Sequence, residues 1–165
     1  MSDLKQQVSR LRDIAAIPIT PKRRAEVLAA VESKFEGVQA VALDVIGFWA
    51  GRENFEILRQ FLIDAFDREA GWSIRSVAVR NLIPLVTAKD AEWVLNLYFS
   101  RQDGLTKHEL VPLVIALPPE AARYRLVLEL GRTDPLNRQA AVKAIGNMAF
   151  PGPAGATLAP SRGSA

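Results

Sequence analysis

The side chains of this sequence that could do chemistry are few and scattered. There is no cysteine among the 165 residues and a single histidine, His108. The absence of cysteine excludes a thiolate metal site and a cysteine nucleophile, and one imidazole is a poor basis for a histidine metal site or a hydrolase relay. The sequence has no glycine-rich phosphate loop and no Gly-x-Ser-x-Gly elbow. We therefore predict no catalytic residue, no metal site and no cofactor.

Two residues nevertheless differ from their surroundings. Asp44 interrupts a stretch, 38–50, that is apolar nearly all round. It is either an interior carboxylate with a partner or a carboxylate that faces a groove where a ligand could meet it. Trp72 precedes a predicted helix, and among the three tryptophans it is the best candidate for an exposed binding aromatic. Trp49 is predicted to lie in the core.

The elements that position these residues are predicted to be helices throughout. Small or apolar residues recur at helical spacing in about nine stretches, and no stretch has a convincing strand pattern. Residues 3–16 form the first amphipathic helix. Thr20 and Pro21 then provide a cap and a first helical residue for the second helix. We also expect a cap at Ser73 and a capping box at 106–109.

The apolar pattern also predicts which side chains are buried. The helix at 38–50, including Phe48, is expected to be buried on more than one side. The helix after Pro119 is expected to bury Val127 and Leu130. Pro84 falls in the final turns of a helix that we expect to continue, kinked, to about residue 86.

Composition and charge limit the protein class. Hydrophobic residues make up 49% and charged residues 24% of the chain, as in ordinary soluble globular proteins. No apolar run is long enough to span a bilayer, and the first residues lack the apolar core of a secretory signal, so we predict a cytoplasmic protein with no membrane contact. The net charge of +3 is mildly basic, and its meaning depends on whether the cations gather on one surface.

The helices pair into units of similar length. Asp134–Gly146 repeats the layout of Ser73–Leu82, with Arg138 at the position of Arg75. Corresponding positions in the four units are Ala42, Ala78, Glu109 and Ala141. They recur with a period in the thirties, which predicts an all-α solenoid of about four helix–turn–helix units, with a compact helical bundle as the main alternative. The units span 20–51, 53–86, 88–117 and 119–150. They form one domain, 1–150, followed by a tail at 151–165 that is rich in Pro, Gly, Ala and Ser and is predicted to be flexible.

The run Asp-Pro-x-x-Arg-x-x-Ala-x-x-Ala-Ile-Gly at 134–146 resembles a HEAT repeat of the short bacterial type found in phycobilisome-lyase-like proteins. The motif is shared in part by 73–86, whereas the other two units match by period alone. The resemblance implies a right-handed α-solenoid with the first helix as its N-terminal cap. It also implies that the second helix of each unit lines a concave face that binds proteins or nucleic acids.

On this resemblance the concave face is more basic than the chain as a whole. Its candidate binding residues are one acid and one aromatic, Asp44 and Trp72, together with five cations: Arg75, Arg80, Lys107, Arg138 and Lys143. The resemblance implies that the arginines at 75 and 138 pair with an acid or a carbonyl of a neighbouring repeat. The cations at 80 and 143 are then the better candidates for contacting a partner.

Three functions follow as hypotheses. The first is a non-catalytic adaptor or scaffold that binds a protein partner through its concave face. The second is nucleic-acid binding through a basic concave groove. The third is an enzyme or enzyme subunit of the lyase or DNA-glycosylase type, both of which HEAT-like folds host, with Asp44 or Glu109 as the acidic group. The sequence does not predict the oligomeric state.

Overall fold

A computed structural model of the chain describes residues 2–148, and over this range it is all-α with no strand. The predicted tail at 151–165 and the end of the predicted domain lie outside the described residues. Within them the α-helices are α1 (Ser2–Ala15), α2 (Pro21–Val31), α3 (Glu36–Trp49), α4 (Arg52–Asp67), α5 (Trp72–Leu82), α6 (Ala91–Ser100), α7 (Gly104–Ile115), α8 (Pro119–Leu130) and α9 (Pro135–Asn147).

Alternate helices pack against one another in chain order. α3 contacts α5, α5 contacts α7 and α7 contacts α9, while α1 also packs on α3. The remaining helices each pack on the helix that follows: α2 on α3, α4 on α5, α6 on α7 and α8 on α9. The core runs between these two sets of helices, and its largest fully buried side chains include Tyr98, Phe55, Leu43, Ile46 and Leu113.

The helix starts confirm some predicted caps and correct others. Thr20 caps α2, because its hydroxyl accepts the Arg23 N–H at 3.3 Å, and Asp134 caps α9. The predicted capping box at 106–109 is wrong. α7 begins earlier, at Gly104, and the carboxylate of Asp103 accepts the Thr106 N–H at 2.7 Å.

Ser73 does not cap α5 either. The helix begins at Trp72, and the residue at its N-cap is Gly71, which has no side chain that could accept an N–H. The Ser73 hydroxyl instead donates to the Glu36 carboxylate at 2.9 Å, so this serine links α5 to the start of α3.

At its other end α5 stops at Leu82, and Ile83–Leu85 forms a short 3-10 helix. Pro84 has no N–H to offer the carbonyl of Arg80, so the regular α-helical bond is lost there. The proline therefore ends the helix rather than kinking it.

Burial on α8 also differs from the prediction. The buried residues are Ala122, Leu126 and Glu129, a stripe at helical spacing. Val127 and Leu130 lie outside that stripe and are exposed. Phe48 of α3 is 72% exposed, so α3 is buried on fewer sides than its composition predicts.

The connection between α5 and α6 is held by a buried carboxylate. Asp90 is fully buried, and its Oδ2 accepts the Thr87 N–H and the Thr87 hydroxyl, each at 2.8 Å. Its Oδ1 accepts from the Arg52 guanidinium of α4 at 2.8 Å. Burial alone would raise the pKa of Asp90, but the Thr87 hydrogen bonds and the Arg52 charge outweigh it and leave the pKa below its ordinary value.

This arrangement predicts a pH-dependent loss of stability on changing Asp90→Asn. Each hydrogen bond to a charged group contributes about 1.5–3 kcal/mol, so we expect the free energy of unfolding at pH 7 to fall by about 2 kcal/mol. Because the folded-state pKa is lowered, the carboxylate stabilises the fold above its unfolded-state pKa of about 3.9, and this stabilisation is lost as the pH falls through the folded-state value.

Urea unfolding of both proteins from pH 7 down to pH 3 checks this prediction. The gap between wild type and variant should narrow below about pH 4. The exposed Asp67, whose carboxylate lies 4.0 Å from Arg101, offers a control, since Asp67→Asn should cost less than about 0.5 kcal/mol. A gap of equal size at all pH values would contradict the role given to the Asp90 carboxylate.

Candidate interaction groove

A cavity lies between the first turns of α5 and α7. Its volume is about 760 Å³. The end of α4 and the connection between α6 and α7 complete its walls. We call it the α5–α7 groove, and its lining residues include Phe66, Glu69, Trp72, Arg75, Arg101, Asp103, Leu105, His108 and Glu109.

An ion pair forms one wall of this groove. The Arg75 guanidinium on α5 donates through Nε and Nη2 to the two carboxylate oxygens of Glu109 on α7, at 2.8 and 2.7 Å. Both side chains are largely buried, and the guanidinium also lies 4.9 Å from the centre of the Phe66 ring. Arg75 therefore links α5 to α7 through the Glu109 carboxylate.

The other charges of the groove do not make it basic. Its lining contains two arginines, at 75 and 101, against three carboxylates, at 69, 103 and 109. Asp103 is engaged as the cap of α7, and its hydrogen bonds from Thr106 hold its pKa below the ordinary value. The Arg101 guanidinium lies 5.3 Å from the Phe66 ring. The groove is thus a mixed surface in which most charges already have partners.

Two apolar side chains that line the groove are exposed to solvent. Trp72, the first residue of α5, is 65% exposed, and Leu105, in the first turn of α7, is 80% exposed. Large apolar side chains this exposed, beside a cavity and surrounded by polar groups, are typical of interaction surfaces. The structure thus brings together Trp72 and Arg75, two of the residues singled out from the sequence.

A smaller cavity adjoins the groove on the side of α9. It has a volume of about 150 Å³ and shares His108 with the larger cavity. The Lys143 amine of α9 lies 2.8 Å from His108 Nδ1. Lys143 therefore lines the smaller cavity and is linked to the α5–α7 groove by His108, which lines both cavities.

Lys107, one of the predicted binding residues, is buried and therefore does not line an exposed surface. Its amine donates to the carbonyls of Tyr98 and Phe99 at 3.1 and 3.3 Å and to Asn137 Oδ1 at 2.8 Å. Burial lowers the pKa of this lysine, and the carboxylates of Asp134 and Glu129 partly offset that effect. Lys107 joins α7 to the carbonyl end of α6 and to α9, so it is not available to a partner.

The remaining predicted residues lie away from the groove. Asp44 accepts from Arg80 Nη2 and from Asn81 Nδ2, each at 2.7 Å, so it is a partnered carboxylate and its arginine is neutralised at the surface. The close approach of α3 and α5 here requires Gly47, because a Cβ at this position would overlap the Asn81 side chain. Arg138 donates to the carbonyls of Arg132 and Thr133 in its own α8–α9 connection, at 2.9 and 2.8 Å.

The acids suggested for an enzymatic role are both engaged. Glu109 has both oxygens on Arg75, and Asp44 is held by Arg80 and Asn81. Over the described residues, no group of three or more His, Asp or Glu side chains is placed to hold a metal ion. No helix in the part of the chain described is both long and apolar enough to cross a membrane.

Sequence reasoning missed several residues of the groove. It did not identify Leu105 as exposed, and it assigned Glu109 to a capping box rather than to Arg75. Asp103 could have been found, because an Asp at this distance before Thr106 is a helix-start signal that competes with Thr106 itself. The burial of Lys107 has no comparable local signal.

Comparison with known proteins gives no family: no family model, no curated protein and no solved structure matches the chain. The resemblance of 134–146 to a HEAT repeat therefore stays a prediction.

Proposed function

We propose that this protein is a non-catalytic adaptor that binds a protein partner through the α5–α7 groove. In this proposal the helices form a right-handed, HEAT-like α-solenoid of four units with α1 as its N-terminal cap. Support for the solenoid comes from the packing order, because α3, α5, α7 and α9 contact one another in sequence while α2, α4, α6 and α8 each cover the next helix. A cytoplasmic location is part of the same proposal.

The observation that carries the proposal is the composition of the groove. A surface for nucleic acid is expected to gather unpaired cations that replace counterions along the phosphates. This groove has more carboxylates than arginines, and its best-placed arginine is bound to Glu109. Protein interfaces instead combine large apolar or aromatic side chains with a polar rim. In this groove the exposed Trp72 and Leu105 lie beside the charged Glu69 and Arg101.

Site-specific photocrosslinking in the cells that make this protein tests the proposal. A photoreactive amino acid is placed at Leu105, in the groove, or at Phe48, which is similarly accessible but lies on α3 outside the groove. We expect one discrete protein adduct from position 105, unaffected by nuclease, and no such adduct from position 48. A nuclease-sensitive adduct would support the nucleic-acid alternative, and the same adducts from both positions would contradict a specific groove.

A further inference from the structure

Lys143 is the one cation among the predicted binding residues whose side chain bonds to no oxygen atom of the described chain. The other four all donate to oxygen atoms of the protein: Arg75, Arg80, Lys107 and Arg138. The amine of Lys143 lies 2.8 Å from His108 Nδ1, its one hydrogen-bond partner among residues 2–148. An ammonium has three N–H groups, so the other two find no acceptor among these residues.

Lys143 and His108 line a small cavity that suits a single polar group. Its volume is about 150 Å³, whereas sites for whole drug-sized ligands measure about 300–1,000 Å³. One water molecule takes up roughly 30 Å³ in the liquid, so the cavity has room for a group of a few heavy atoms. Gln139, one turn before Lys143 on α9, lines the same cavity and is exposed, and its amide adds a further donor.

The charges around this cavity favour an anion. Its described lining includes no Asp and no Glu. Lys107 is buried beside it, and the Lys107 amine bonds to the neutral oxygens of two carbonyls and of Asn137. The acids that act on the Lys107 charge are Asp134, Glu129 and Asp103. They are already engaged, two as helix caps and Glu129 with two arginines.

We propose that Lys143 and His108 form a subsite that binds a carboxylate group of the protein partner in the α5–α7 groove. Because lysine can only donate, His108 Nδ1 accepts from it, and the imidazole holds the amine in place while the remaining N–H groups bind the carboxylate. His108 lines both cavities, so a chain bound in the groove lies next to the subsite. The source of the carboxylate rests on the proposed function, whereas the anion subsite itself does not.

The subsite fits a carboxylate better than a phosphate. A phosphate group carries about −1.5 to −2 charges at pH 7 and is commonly bound by a cluster of arginines. The described lining of this cavity includes no arginine, and the Lys143 ammonium supplies a single positive charge. That charge matches the single negative charge of a carboxylate, and hydrogen bonds between such groups are among the stronger ones in proteins.

Titration of the full chain with sodium acetate, followed by proton NMR, tests the subsite without a partner. The chain has one histidine, so the ring signals of His108 are identified at once. Acetate replaces chloride at constant ionic strength, which removes the general effect of salt. We expect a saturable displacement of these signals, half complete at about 10 mM acetate, because a small anion with few charge-assisted contacts binds in the millimolar range.

Variants and a second anion make this test specific. Lys143→Met removes the charge and should weaken acetate binding by about tenfold or more. Lys22→Met changes an exposed lysine of α2 outside this cavity and should have no effect. Circular dichroism establishes that both variants are folded. Displacement that does not saturate, or that is the same in Lys143→Met, would overturn the subsite. Inorganic phosphate that binds more than about tenfold tighter than acetate would overturn its assignment to a carboxylate.

Photocrosslinking from position 105 tests whether the carboxylate belongs to the partner. Lys143→Met should reduce the yield of the adduct by roughly threefold or more, because a charge at the edge of an interface speeds association, and Lys22→Met should not. An undiminished adduct would overturn the role of the subsite in partner binding. Since the acetate titration needs no partner, a missing acetate response with an intact adduct contradicts the subsite alone, whereas a missing wild-type adduct contradicts the proposed function.

Discussion

Glu109→Ala should lower the free energy of unfolding by about 3 kcal/mol, because it leaves the Arg75 guanidinium partly buried without its acid. The two side chains form a bidentate pair across α5 and α7 with bonds of 2.8 and 2.7 Å, and such charge-assisted pairs are the strong ones. Most of the decrease in the free energy of unfolding comes from the partly buried Arg75 charge that no longer has an acid beside it, and less comes from the absence of the Glu109 carboxylate itself. Chemical denaturation of wild type and variant measures it.

Two controls isolate the cause of this loss. The double change Arg75→Met with Glu109→Leu removes both charges and keeps the volume, so it should recover more than half of the lost stability, since apolar replacements of buried pairs are often nearly neutral. Asp44→Ala breaks the more exposed pair with Arg80 and should cost about 1 kcal/mol or less. A cost for Glu109→Ala no larger than that for Asp44→Ala would contradict the structural role of the Arg75–Glu109 pair.

The sequence predicted the helical class because its signals are local. Apolar residues at helical spacing define most helices, and Thr20 and Asp134 cap α2 and α9 through their own side chains, as predicted. The prediction was wrong at the start of α7, where two residues could cap the helix. Thr106 fits the capping-box pattern, but Asp103 caps the helix, and Glu109 pairs with Arg75 instead.

The charge of the groove could not be predicted from local sequence patterns. Lys107 looks like a surface cation in sequence, yet its amine finds three oxygens from α6 and α9. Only the packing of helices that are distant in sequence supplies those partners. In the same way Arg75 and Arg80 are neutralised by acids on other helices. The sequence predicted a basic face because it shows the cations of α3, α5, α7 and α9 but not their partners. The α5–α7 groove is therefore less basic than predicted.

Trp72, the best candidate among the three tryptophans for an exposed aromatic, is exposed in the structure. Trp72→Ala should weaken binding of the groove's protein partner by about thirtyfold, because a central tryptophan is typical of the few residues that contribute about 2 kcal/mol or more to an interface. The fold should be little affected, since 65% of the residue's surface is already exposed. Phe48→Ala removes an aromatic of similar exposure outside the groove, and it should change the affinity by less than about threefold.

The most direct test of the proposed function is a calorimetric titration of the partner recovered through position 105 into wild type, Trp72→Ala and Phe48→Ala protein, each treated with nuclease. We expect wild type and Phe48→Ala to bind alike and Trp72→Ala to bind about thirtyfold more weakly. Equal affinities of wild type and Trp72→Ala, or the disappearance of binding after nuclease treatment, would contradict a protein-binding groove centred on Trp72.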